Sequence, residues 1–207
     1  MATGTKKNSA RQREEQQERI IRAARQLFAN QGYSDTTMTQ IAAAAEMSYG
    51  LAYHYFKDKA ELFTRVLEEA LHSSMALMQA ARQLPGTPWE HLHWLTTRML
   101  EGAQRQPEAF LVVMQALATE AIPEEARAIA WETSTVSLET LKQLIIEGQE
   151  AGQVVQGDPD HLASAFGWCI QGMALGMGFL SRRPASAPAL LVTSYPEADD
   201  ILRILKA

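Results

Sequence analysis

Between Thr36 and Phe56 the chain has room for two short helices and a tight turn, and for little else. The Thr37 hydroxyl can accept an orphan backbone N–H at a helix start, and Gln40, three residues on, can complete a capping box. The alanine-rich segment from Met38 to about Ala45 has few bulky side chains, so it fits tightly against a neighbour. Glu46-Met47-Ser48 ends it, and Ser48 can cap a second helix over Tyr49–Phe56. Two such helices joined by a tight turn form the helix-turn-helix pattern, whose second helix enters a DNA groove.

The second helix has an unusual makeup for a surface element. Leu51, Ala52 and Phe56 suit an inward face, whereas Tyr49, Gly50, Tyr53 and His54 suit an outward one. Gly50 removes a side chain where a DNA backbone can come close. Tyr53 and His54 can donate to phosphates, and Ser48 and Tyr49 can reach base edges or a thymine methyl. Thr37 lies at a helix N-terminus, where backbone N–H groups favour a phosphate. Lys59 adds a positive charge, with Lys57 beside it. The competing reading makes Tyr55, and Tyr53 with it, core aromatics.

The spacing of Gly32-Tyr33, Thr36-Thr37, Ile41-Ala42, Gly50, Tyr53-His54-Tyr55-Phe56, Lys59 and Leu62 resembles the TetR family of bacterial transcriptional regulators. Ala24, Leu27 and Phe28 fit that family's first helix, so the likeness runs over roughly Ile20–Leu67. The resemblance implies DNA contacts at Thr37, Thr39, Ser48, Tyr49, Gly50, Tyr53, His54 and Lys59. It also implies pairing through the last two helices and an effector cavity in the body. One departure stands out: Glu46 occupies a turn position where the family usually has glycine. A left-handed conformation there costs a residue with a Cβ.

Charge is divided along the chain. Residues 1–60 hold nine Lys and Arg against six Asp and Glu, and the remainder ten against eighteen, within a net charge of -5. The basic part coincides with the helix pair, as phosphate binding requires. The acidic part should turn away from DNA.

The rest of the pattern is helical. Ile20, Ala24, Leu27 and Phe28 make a helical stripe that Gly32 can terminate. Residues 1–12 are polar and basic and read as a flexible arm able to touch DNA. Asp58 and Glu61 can cap a fourth helix with a stripe of Leu62, Val66, Leu67, Ala70 and Leu71. Further helices follow over Trp89–Arg105, Pro107–Thr119, from Pro123 to near Gly152, from Asp158-Pro159 onward, and over Glu197–Leu205. Arg182–Tyr195 reads as a loop. The expectation is an all-α chain of about nine helices. Residues 1–60 form a three-helix DNA-binding head, and residues 61–207 a helical body for dimerisation and ligand binding. A hydrophobic share of 46% supplies a core. The single cysteine, Cys169, excludes an internal disulfide framework. The polar N-terminus lacks a signal-peptide core, and no stretch is expected to reach the ~20 apolar residues of a membrane span. The expected location is cytoplasmic.

Methionine and large aromatics crowd the body, and methionine adapts to irregular cavities. With the resemblance, Met78, Met99, Phe110, Met114, Trp131 and Trp168 become candidates for a pocket taking a small apolar or amphipathic effector. The bland alternative is an ordinary core. Gly172, Gly176 and Gly178 interrupt a late helix, at about 1 kcal/mol each relative to alanine, and close helix approach is the usual compensation. That approach can lie inside the subunit or across a dimer. The resemblance favours the dimer, with Cys169, Gly172 and Gly176 at the interface. No histidine spacing suggests a metal, no glycine loop a phosphate cofactor, and no constellation catalysis. The expected function is a ligand-responsive, homodimeric repressor on double-stranded operator DNA. The alternatives are an activator, a ligand-independent regulator, and, from another class, a helical adaptor or enzyme.

Overall fold

Capping chemistry sets where most helices begin. The structure, a computed structural model, describes residues 3–181 and 196–207; the loop expected over Arg182–Tyr195 lies outside them. Among the described residues are nine helices: α1 (Thr3–Asp35), α2 (Met38–Ala44), α3 (Tyr49–Tyr55), α4 (Lys59–Gln83), α5 (Pro88–Arg105), α6 (Pro107–Ala118), α7 (Glu124–Glu150), α8 (Pro159–Ser181) and α9 (Ala198–Leu202). The only other regular pairing among them is an isolated antiparallel bridge between Val154 and Lys206. The all-α expectation holds.

Thr37 and Gln40 form the anticipated capping box: the Gln40 N–H donates to Thr37 Oγ1 at 3.2 Å, and the Thr37 N–H to Gln40 Oε1 at 2.8 Å. Thr87 and Glu90 form another at the start of α5, with Pro88 as its first residue. Each such cap is worth about 1 kcal/mol. Asp58 Oδ1 accepts the Glu61 N–H at 2.8 Å, while Glu61 reaches back to the N–H of Lys57 rather than of Asp58. Asp158 caps α8 through the N–H groups of Asp160 and His161.

Two expectations need correction. Residues 3–12, read as a flexible arm, continue α1 as helix. Arg11 pairs with Glu15 one turn on at 3.0 Å, an i,i+4 contact of the kind that supports a helix. The statement that no stretch reaches a membrane-span length also fails. Pro159–Leu180 is 22 residues with mean hydropathy 1.3, long and apolar enough to cross a membrane by length and composition alone.

By packing, the chain divides into two compact units. The first is Met1–Ala70 with Val112–Ala130, and the second Leu71–Leu111 with Trp131–Ala207. In the first, Phe28 and Phe63 are fully buried and meet edge-on at 5.0 Å, with the Tyr33 ring 5.1 Å from Phe63. Burying each such ring stabilises by about 1.5–3 kcal/mol. Gly32 breaks the helical geometry of α1 at φ 86, so the terminus expected there is present as a kink. In the second unit, Leu92 and Leu95 of α5 join Leu141, Leu144 and Ile145 of α7, Phe166 and Ile170 of α8, and Ile201 and Leu202 of α9 in one core.

Candidate DNA interface

The end of α1 and the start of α2 are tied by one glutamine. Gln31 Nε2 donates to Asp35 O at 3.0 Å, Thr36 Oγ1 at 3.3 Å and Gln40 Oε1 at 3.2 Å. Thr36 is fully buried and satisfied, its hydroxyl donating to Gly32 O at 2.7 Å. This network holds the first turn of α2, where Thr37 and Thr39 are exposed.

The turn into α3 is left-handed at Glu46, with φ 55. The Met47 N–H bonds Ala42 O at 2.9 Å, and the Glu46 N–H bonds Ala43 O at 3.0 Å. That pair of bonds is the Schellman closure, which normally uses glycine. The departure noticed in the sequence therefore leaves the turn type unchanged. Arg19 Nη2 lies 2.8 Å from Ala45 O and 3.1 Å from Glu46 Oε2.

Ser48 then caps α3, accepting the Leu51 N–H at 3.3 Å. Ala52 and Phe56 are buried, at 0% and 3% exposure, and fix the inner face. On the outer face Tyr49 is 54% and Tyr53 38% exposed, and Ser48, Gly50 and His54 are exposed as well. The two tyrosine rings lie 4.6 Å apart. A hydrogen bond with Tyr49 pushes the Tyr53 phenol above its ordinary range, so it remains a neutral donor at physiological pH. A Cβ at Gly50 would meet nothing within 4 Å in this chain, so no internal contact demands glycine there.

Two residues take structural roles. Tyr55 donates from its hydroxyl to Gln16 Oε1 at 2.6 Å. Lys59, read from the sequence as a phosphate partner, donates to Tyr33 O at 2.7 Å and Ser34 O at 3.3 Å, and sits 4.2 Å over the Tyr33 ring. Burial lowers its pKa, against a smaller opposing effect of Asp35. A lysine stem long enough to reach DNA is also long enough to fold back on the open carbonyls past the Gly32 kink. Lys57 is the freer cation, with an exposed side chain and Asp58 at 3.9 Å. Sequence reasoning missed Gln16, Arg19 and Gln31, since no local pattern marks a polar residue on α1 as a partner of the turn or of α3.

Residues 20–66 match the family of bacterial regulatory proteins, tetR family. Over 162 residues the chain is 32% identical to the transcriptional regulator AcuR of Cereibacter sphaeroides, an alignment spanning 72% of this chain and 71% of AcuR. The chain belongs to the TetR family. It is also 26% identical over 187 residues to the HTH-type transcriptional regulator AcrR of Shigella flexneri, covering 89% of this chain and 76% of that one. In fold it matches AibR, solved in complex with isovaleryl coenzyme A and operator DNA, with a TM-score of 0.67 at 17% identity over 91% of this chain and 94% of that one. The chain is accordingly a DNA-binding transcriptional regulator.

In this TetR-family regulator the residues read as an effector pocket do not all come together. Met78 is buried in the second unit's core, with Met99 and Phe110 packed against that core. Met114 belongs to the first unit and is half-buried. Trp131 and Trp168 are 56% and 72% exposed and line no interior among the described residues. The reason is helical phase: Phe166, Ile170, Ala174 and Met177 are the inward residues of α8, and Trp168 points away from them. The outward side of α8 carries Trp168, Cys169, Gly172 and Phe179, all exposed, with Gly176 half-exposed. A Cβ at Gly172 or Gly176 would meet nothing within 4 Å, whereas one at Gly178 would come 2.9 Å from Leu111 Cδ1. Close approach inside the chain thus explains Gly178 but not the other two. Among the described residues no group of His, Cys, Asp or Glu is placed to hold a metal.

Proposed function

We propose that this regulator is a homodimeric repressor. Residues 1–60 bind a palindromic operator, and residues 61–207 pair the chains and take up an apolar or amphipathic effector. The observation that carries the reading is the outer face of α3. Tyr49, Gly50, Tyr53 and His54 lie open together on a helix whose other face is locked by Ala52 and Phe56. On this reading Ser48 and Tyr49 meet base edges, and Tyr53, His54, Thr37 and Thr39 meet phosphate. Two such helices about 34–36 Å apart would meet successive major grooves on one face of B-DNA.

Pairing draws on the outward side of α8, where Cys169, Gly172 and Gly176 give a low ridge flanked by Trp168 and Phe179. The effector site draws on Met78, Met99 and Phe110, soft side chains within one unit. AibR, with the same fold, was solved with both a ligand and operator DNA, which supports pairing the two kinds of partner here. The α4 helix begins three residues after Phe56 and continues to Gln83, past Met78. A ligand that displaces its far end would reorient α3, to the extent that it binds the DNA-free state better.

Tryptophan fluorescence titration of a panel of apolar and amphipathic compounds, with and without a duplex selected by the protein from random DNA, tests this. Linkage requires the duplex to weaken ligand binding by the factor by which the ligand weakens duplex binding. A bound ligand whose affinity is the same in both titrations would refute the coupling.

A further inference from the structure

We infer that Arg19 is a positioning residue for α3, holding in place a left-handed turn that glycine would adopt unaided. The inference rests on reading α3 as the recognition helix. Glu46 is the only residue other than glycine with positive φ among the described residues. The two closing bonds of the turn use the carbonyls of Ala42 and Ala43. That leaves Ala45 O open at the negative end of the α2 dipole, where a cation is favoured. Arg19 Nη2 takes it at 2.8 Å and reaches the Glu46 carboxylate at 3.1 Å.

The two contacts differ in weight. The side chains of Arg19 and Glu46 are 47% and 85% exposed, so the ion pair is screened and contributes little. The bond to Ala45 O is half-buried and charge-assisted, and it dominates. Gln16, three residues earlier and so on the same side of α1, accepts from the Tyr55 hydroxyl at the last residue of α3. The segment from Gln16 to Arg19 therefore holds the turn that leads into α3 and the last residue of α3 itself, from positions that precede the family-matched stretch beginning at residue 20.

The test is a double-mutant cycle of Arg19→Ala and Glu46→Gly, read by thermal unfolding and by affinity for a duplex that the parent selects from random DNA. Arg19→Ala should weaken binding about tenfold and lower the Tm. In the Glu46→Gly background the same change should cost no more than about threefold, because the turn no longer needs support. An equal loss in both backgrounds, or no loss at all, overturns the inference. So does a fall of about one in the salt slope on Arg19→Ala, which would make Arg19 a phosphate contact. If Arg19→Ala does not fold, a folded double variant supports the inference and an unfolded one overturns it. If the parent selects no duplex, the reading of α3 fails, while the cycle in Tm still decides the role of Arg19.

Discussion

Gln115 donates a hydrogen bond to the main-chain oxygen of Phe28 at 2.8 Å, across 87 residues of sequence. Phe28 O lies in the last helical turn of α1 before the Gly32 kink, where carbonyls lose their regular partners. This bond joins the second half of α6 to the first helix inside one compact unit. Gln115→Ala should cost about 1 kcal/mol, lowering Tm by about 2–4 °C for a chain of this size. Unfolding at the parent temperature would show that water replaces the bond at no cost.

Tyr49 and the two lysines should separate cleanly. Tyr49→Ala should change which duplexes are selected, because the proposed interface sets its exposed ring against base edges. Lys57→Ala should weaken all duplexes alike and reduce the salt slope by about one. Lys59→Ala should lower the Tm and leave that slope unchanged, because its ammonium is committed to the Tyr33 and Ser34 carbonyls. Gel shifts over a salt series check all three, and a slope change at Lys59 would restore it as a phosphate contact.

Acid should destabilise the protein through two helix caps. Backbone N–H bonds hold the Glu90 and Asp158 carboxyls below their ordinary values of 4.5 and 3.8. As pH falls, the unfolded chain takes up these protons first, so the stability they give is present above those values and is lost as the pH drops through the folded ones. Glu90→Gln and Asp158→Asn should each flatten the acid limb of Tm against pH, measured from pH 6 to about 2. An acid limb as steep as the parent's would place the titrating groups elsewhere.

The proposed pairing through α8 makes a direct prediction about assembly. Gly172→Leu adds bulk to an exposed ridge where a Cβ meets no neighbour within 4 Å among the described residues. It should therefore leave the helix content unchanged and shift the sedimentation coefficient toward that of a single chain. Trp168→Ala should do the same to a lesser degree, by removing part of the flanking apolar surface. A variant that sediments as the parent does would move the interface off this side of α8.

What was legible in the sequence was local. The Thr37–Gln40 box, the Ser48 cap, the break at Gly32 and the strained turn at Glu46 each depend on residues within four positions of one another, and one-dimensional spacing records them. The Thr87–Glu90 box has the same short spacing. Partners distant in sequence were not legible. Nothing near Arg19 or Gln16 announces α3, and nothing near Gln115 announces Phe28. The exposure of Trp131 and Trp168 is not legible because α7 and α8 are apolar on more than one side, so composition leaves their helical phase open. The fold-back of Lys59 is not legible because the direction of a flexible stem is set by tertiary acceptors.

Only a third of the apolar window of α8 is buried within the single chain. Under the proposed pairing a second copy covers part of the rest, so the cost of leaving it bare would depend on how many molecules are present. The temperature at which such a pair melts would then not be one number but a function of dilution, rising with concentration as mass action favours the covered form. In a cell, a regulator made in few copies would spend part of its life with that face in water, and its abundance would set its folded lifetime as well as its occupancy of DNA.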